Sequence, residues 1–116
     1  MSTYQNLPIF QKSYDAILRL QHYIDRMKRL YRYSYGVYLI RNSLDFLYLI
    51  VEVNIIREKS EKISKLKEAD LVLQKLKIHT RLLHDLGSFN IKQYEVMSRD
   101  WDELGKQLGG WMKSFQ

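Results

Sequence analysis

Residues 37–53 read Val37-Tyr-Leu-Ile-Arg-Asn-Ser-Leu-Asp-Phe-Leu-Tyr-Leu-Ile-Val-Glu-Val53. Val37, Ile40, Leu44, Leu47 and Val51 recur at alternating spacings of three and four, the seam of a bundle helix. A second set, Leu39, Phe46, Ile50 and Val53, lies off that seam. A helix apolar around most of its girth must be buried on two sides. The pattern predicts a helix over residues 34–57. Its seam packs inside its own bundle, and its second set needs another cover. Self-association is the simplest cover, with Leu39, Phe46, Ile50 and Val53 as the oligomer interface. A wide stripe internal to one subunit is the competing reading.

Three more helical segments flank this one. Upstream, residues 8–29 place Phe10, Tyr14, Ile17, Leu20, Ile24 and Met27 on one stripe, with Asn6 as a cap and Pro8 in the first turn. Downstream, residues 61–86 carry Leu66, Ala69, Leu73, Leu76, Thr80 and Leu83 at bundle spacing, with Ser60 as a cap and Gly87 as the terminator. The last helix opens with Asn90 and Gln93 as a variant capping box, and Phe89 is placed to staple onto Tyr94. Tyr94, Met97, Trp101, Leu104, Leu108 and Trp111 then form its seam, and Gly109-Gly110 is expected to loosen or end the helix before Trp111. The connections are short, so successive helices must be antiparallel neighbours. The expected fold is all-α: one up-down-up-down four-helix bundle over residues 1–116.

Composition narrows the function classes. An apolar fraction of 46% argues against disorder, and one Pro with five Gly leaves too few breakers for a many-stranded sheet. No Cys is present, which removes disulfides, thiolate metal clusters and thiol nucleophiles, and makes the reducing cytoplasm the expected compartment. The start, Met1 to Pro8, lacks a basic region followed by an apolar run, and Leu44–Ile56 is interrupted by Asp45, Glu52 and Asn54. Neither a signal peptide nor a membrane span is expected.

Catalytic and metal signatures are missing from the pattern. His22, His79 and His84 follow Arg19, Leu76 and Arg81 by three, so no Glu-x-x-His di-metal motif exists, and they read as surface or boundary histidines. No nucleophile elbow or phosphate loop is present. Asp100, Asp102 and Glu103 read as a solvated face beside Arg99 and Lys106 rather than an acid pair. The expectation is a protein without catalytic residues, cofactor or metal.

The net charge of +6 favours polyanionic partners. Three basic features are candidates. Arg26, Lys28, Arg29 and Arg32 alternate with Tyr31, Tyr33 and Tyr35, a mixture suited to phosphates and unpaired bases. A helix end whose cations complement the dipole, with tyrosines packing the bundle cap, explains the same residues. Lys77, Arg81 and His84 fall on one face of the third helix, and Lys92, Arg99, Lys106 and Lys113 recur every seven residues on the fourth. Each stripe alone is an ordinary solvated face; two stripes with a basic loop point to a polyanion surface.

The closing run Leu104-Gly-Lys-Gln-Leu108-Gly109-Gly110-Trp111-Met-Lys-Ser114 resembles the signature of the accessory variability protein (Avd) family of diversity-generating retroelements, which ends in Ile or Val, then Gly-Arg-x-Leu-Gly-Gly-Trp-Leu-Lys-Ser. Arg81-Leu-Leu-His-Asp85-Leu86 with Gln93-Tyr94, and Arg32-Tyr-Ser34-Tyr-Gly36, are similar to two further family stretches. The family's Pro before the second helix and its small residue after it have no counterpart in this chain. The related four-helix proteins of ribosomal RNA intervening sequences share the architecture, but their Asn-Ile-Ala-Glu-Gly and Gly-Ser-x-x-Glu motifs are absent. The resemblance implies a ring-like homo-oligomer, a pentamer, that associates with a reverse transcriptase and with template RNA or its DNA copy. It makes Lys77 and Arg81 the leading contacts, Arg32 a second-rank one, and Gly109, Gly110 and Trp111 structural closure. The alternative is a scaffold of the intervening-sequence type that binds only protein.

Overall fold

The computed structural model describes residues 3–116, so the first two residues of the expected 1–116 domain and of its polar start lie outside the described residues. A 3-10 turn, Tyr4–Asn6, precedes five helices: α1 (Pro8–Asp25), the short α2 (Arg29–Arg32), α3 (Tyr35–Ile55), α4 (Lys59–Asp85) and α5 (Ile91–Lys113). No strand occurs among the described residues, and no helix is long and apolar enough to cross a membrane.

The four long helices close into a square in which α1 touches α3 and α5, and α4 touches α3 and α5. Every side is antiparallel. Glu52 of α3 meets Lys65 of α4, while Tyr38 meets His79. Lys77 of α4 meets Asp102 of α5, while Leu73 lies beside Gly105. Lys12 of α1 meets Glu103 of α5, while Tyr23 meets Phe89 just before that helix. Ile24 of α1 lies against Gly36 of α3. The C-terminal ends of α1 and α4 therefore share one end of the bundle with α2 and the N-terminal ends of α3 and α5.

The α4 and α5 seams are buried where the spacing placed them, from Leu66 to Leu83 and from Met97 to Leu108, with Tyr94 and Trp111 at the boundary. Inside, Trp101 Nε1 donates to Thr80 Oγ1 at 2.8 Å and that hydroxyl donates to the Leu76 carbonyl at 2.7 Å, so the one polar side chain of the α4 seam is satisfied.

The two faces of α3 are largely exchanged relative to the sequence expectation; of the expected seam, Leu47 is buried, at 8% exposed. Gly36, Leu39, Ser43, Phe46, Ile50 and Val53 point inward, and Leu39, Phe46, Ile50 and Val53 are at most 1% exposed within a single subunit. They are core and cannot be an oligomer interface. Val37 is exposed, and Ile40 and Leu44 are half-buried. On α1 the inward line is Ile9, Ser13, Ala16, Leu20 and Ile24, leaving Tyr14 exposed. Both corrections share a cause: small residues on the buried line let α1 and α3 approach closely, and a Cβ at Gly36 would stand 3.0 Å from Ile24 Cγ2.

The caps divide in the same way. Asn90 and Gln93 form both bonds of the capping box. Gly87, at φ +78°, ends α4 in a Schellman turn, its N–H donating to the His84 carbonyl while Ser88 N–H reaches Leu83. Phe89 is buried edge-on against Tyr23 at 6.1 Å instead of stapling to Tyr94, which stacks on His84. Asn6 and Ser60 cap nothing: Leu7 precedes α1, and Ser60 donates to the Glu58 carboxylate. α5 runs straight through Gly109-Gly110 to Lys113.

Candidate nucleic-acid interface

The first loop differs from a simple helix end. α1 stops at Asp25, and Met27, only 3% exposed, plugs the bundle end. Burying Met27 turns its neighbours outward, so Arg26, Lys28 and Arg29 are exposed and Arg32 is half-buried. From Arg26 to Leu44 the chain carries five cations, Arg26, Lys28, Arg29, Arg32 and Arg41, and no Asp or Glu. None of the five makes an ion pair among the described residues. Arg29 and Arg32 hold their guanidinium groups 5.8 and 6.0 Å from the Tyr33 ring centroid. Arg32 Nη2 donates to the Met27 carbonyl at 3.0 Å, while its Nε is buried without a partner.

The α4–α5 face is arranged differently. Lys77 lies 3.4 Å from Asp102, and Arg81 reaches Asp85 at 3.8 Å. His84 Nδ1 stands 3.3 Å from the same Asp85 carboxylate, and its ring stacks on Tyr94 at 4.6 Å. Each charge expected to lead on this face therefore has a carboxylate beside it.

Topology sorts the remaining candidates. Arg81, His84 and Lys92 sit at the same bundle end as Arg26, Lys28, Arg29 and Arg32, because α4 ends and α5 begins there. Arg99 and Lys106 lie farther along α5, on either side of Glu103. That carboxyl is held below its ordinary value, chiefly by its hydrogen bond with Lys12 and less by the nearby charges of Lys106 and Arg99. Lys92, Arg99 and Lys106 make no ion pair of their own among the described residues.

Asp100, expected on a solvated face, is instead 5% exposed. It accepts from Arg19 and lies 3.2 Å from Lys12 Nζ, and the same ammonium reaches Glu103 at 2.7 Å. These four residues clamp α1 to α5. The signal for it in the sequence is the seven-residue interval between Lys12 and Arg19, which puts two cations on one face of α1. Lys62 also escapes a reading by period. It donates to the Val53 carbonyl at 2.7 Å near the C-terminus of α3 and lies 5.4 Å from the Phe115 ring centroid. No group of three or more His, Cys, Asp or Glu among the described residues is placed to hold a metal ion.

A family model described as bAvd-like matches residues 8–115, nearly the whole of this four-helix chain. The chain belongs to the bAvd-like family. A search of curated proteins returns no match. In this bAvd-like chain the closing Gly-Gly-Trp divides its tasks. Trp111 packs at the edge of the core and tilts onto Phe115 at 6.3 Å, whereas a Cβ at Gly109 or Gly110 would meet nothing within 4 Å. The tryptophan contributes to closure; the two glycines are not required by packing inside the subunit.

Proposed function

We propose that this bAvd-like protein is a non-catalytic accessory subunit of a diversity-generating retroelement. In this reading it binds reverse transcriptase and template RNA or its DNA copy, acts as a homo-oligomer, and supports mutagenic copying in the cytoplasm. Family membership supports the accessory role. The observation that carries the nucleic-acid half is the acid-free run of cations from Arg26 to Arg41 beside exposed tyrosines.

This moves the lead contacts from Lys77 and Arg81 to Arg26, Lys28, Arg29 and Arg32. A phosphate approaching Lys77 or Arg81 must first displace a carboxylate, and an exposed pair of that kind is worth roughly 0.2–1 kcal/mol. The proposed pentamer also needs a new contact surface, since Leu39, Phe46, Ile50 and Val53 are core. Leu71, Ile78 and Leu82 form an exposed apolar line on α4 and take that role. The same line favours the second reading, a scaffold that binds only protein.

The test is charge reversal at the turn. Arg26→Glu, Lys28→Glu and Arg29→Glu together should leave the helical spectrum intact, weaken RNA binding at least tenfold at physiological salt, and flatten the logarithmic salt slope by about two units, at ~0.7 per single-strand phosphate contact. Wild-type affinity in this variant would refute the nucleic-acid role and leave the protein scaffold standing. Co-purification with a retroelement reverse transcriptase tests the accessory role separately.

A further inference from the structure

Beside the cationic turn a groove of about 650 Å³ runs along the outside of α1 and α3. That size lies in the range of sites built for small ligands, roughly 300–1,000 Å³. Its floor is apolar, made by Ile24, Val37, Ile40 and Leu44. Tyr33 closes one end, with Arg29 and Arg32 at 5.8 and 6.0 Å from its ring centroid, and Tyr48 the other; the two residues are 66% and 55% exposed, so both leave ring surface open to a ligand.

The charges along this groove are not those of a phosphate channel. Arg32 and Arg41 line it, but so do Asp25 and Asp45. Gln21 Nε2 donates to Asp25 Oδ1 at 2.9 Å, which leaves that amide's carbonyl free to accept. A polyanion backbone laid inside would meet two carboxylates. A neutral, flat, hydrogen-bonding group would not be repelled, and its exocyclic amines suit those acceptors. Outside the groove, at the Tyr33 end, the field changes to the unpaired Arg26, Lys28 and Arg29. Arg32 stands at the junction with an unpartnered buried Nε.

We infer that the groove takes the unpaired bases of a single strand, while the strand's phosphates follow the cationic turn. The inference rests on the nucleic-acid half of the proposed function and specifies its substrate: single-stranded RNA or DNA rather than duplex. In a duplex the base faces are already stacked, so Tyr33 and Tyr48 have nothing to receive and only the turn contributes. Stacking on an aromatic ring is worth roughly tenfold in affinity per base, whereas cations act on either form.

The experiment uses the full chain and a fluorescent adenine-rich RNA of about twelve nucleotides, a length within the usual single-strand footprint. The same strand is tested alone and annealed to its complement. Wild type should bind the single strand at least tenfold more tightly. Tyr33→Ala with Tyr48→Ala should erase that preference while leaving duplex affinity and the salt slope unchanged; Tyr33→Phe with Tyr48→Phe should retain it. Both positions are largely exposed, and a circular dichroism melt checks that the alanine variant folds. Equal affinity for the two probes would overturn the inference and leave the basic-turn reading intact, as would equal weakening of both by the alanine pair. Binding of neither probe by wild type would end both readings. A fall in light-scattering mass on the alanine substitutions, with RNA binding unchanged, would assign the groove to a second copy of the chain instead.

Discussion

Two basic regions of this molecule look alike as composition and differ as surfaces. The α4–α5 face presents Lys77, Arg81 and His84, and the α1–α3 turn presents Arg26, Lys28, Arg29 and Arg32. On the first, Asp85 and Asp102 stand within ion-pair distance of all three side chains. On the second, no acid occurs in the chain between Asp25 and Asp45, and among the described residues none pairs with these cations from another helix. What a polyanion meets is set by cations that lack a neighbour of opposite sign, so the turn is the more attractive surface although its residues are hardly more numerous.

Substitutions can invert that comparison or widen it. The largest contrast should come from reversing each surface in turn. Lys77→Glu with Arg81→Glu is expected to weaken RNA binding by less than about fivefold, because roughly 0.2–1 kcal/mol per pair is already spent on the carboxylates. Reversal of Arg26, Lys28 and Arg29 should cost at least tenfold. If the α4–α5 variant proves the weaker binder, the two surfaces rank in the opposite order. A smaller effect of opposite sign is expected from removing the acids. Asp85→Asn with Asp102→Asn should free Lys77, Arg81 and His84 and raise affinity by up to about fivefold, the Boltzmann factor of the upper end for one such pair. No gain in anisotropy titrations at matched salt would mean that these carboxylates do not limit binding.

The sequence carries the two surfaces to different depths. Arg81 and Asp85 are four residues apart on one helix, so their pairing can be read from spacing alone. Lys77 and Asp102 meet only because α4 and α5 pack with Leu73 beside Gly105, a register that no single-helix period contains. The core shows the same division. On α4 and α5 the apolar line at three-four spacing is the buried one and period alone locates it, although α4 also carries Leu71, Ile78 and Leu82 outside it. α3 offers two apolar lines, and the buried one runs through Gly36 and Ser43, which a count of large apolar residues passes over. Ser13 and Ala16 hide the buried line of α1 in the same way. The groove is consequently invisible in the sequence, because period assigns its floor residues Val37, Ile40 and Leu44 to the inside of the bundle.

The smallest effect concerns a third set of cations, matched like those of α4–α5 but used to hold helices together. The Lys12 ammonium is raised above 10.5, first by its hydrogen bond to Glu103 and then by Asp100, with burial opposing, and the Glu103 carboxyl is lowered below 4.5 chiefly by Lys12. A lowered carboxyl stabilises the fold above its unfolded value, and that contribution is lost as pH falls through the folded one. A raised ammonium contributes fully below its unfolded value and loses that contribution as pH rises through the folded one. The Lys12–Glu103 part of the clamp should therefore operate across the whole neutral range and fade below about pH 4.5 and above about pH 10.5. Glu103→Gln should lower the melting temperature slightly at neutral pH, and the gap from wild type should close as the solution is taken below pH 4.5. A gap that persists in acid would show that Glu103 acts through packing rather than charge, and would remove the α1–α5 clamp from the set of cations held by their carboxylates.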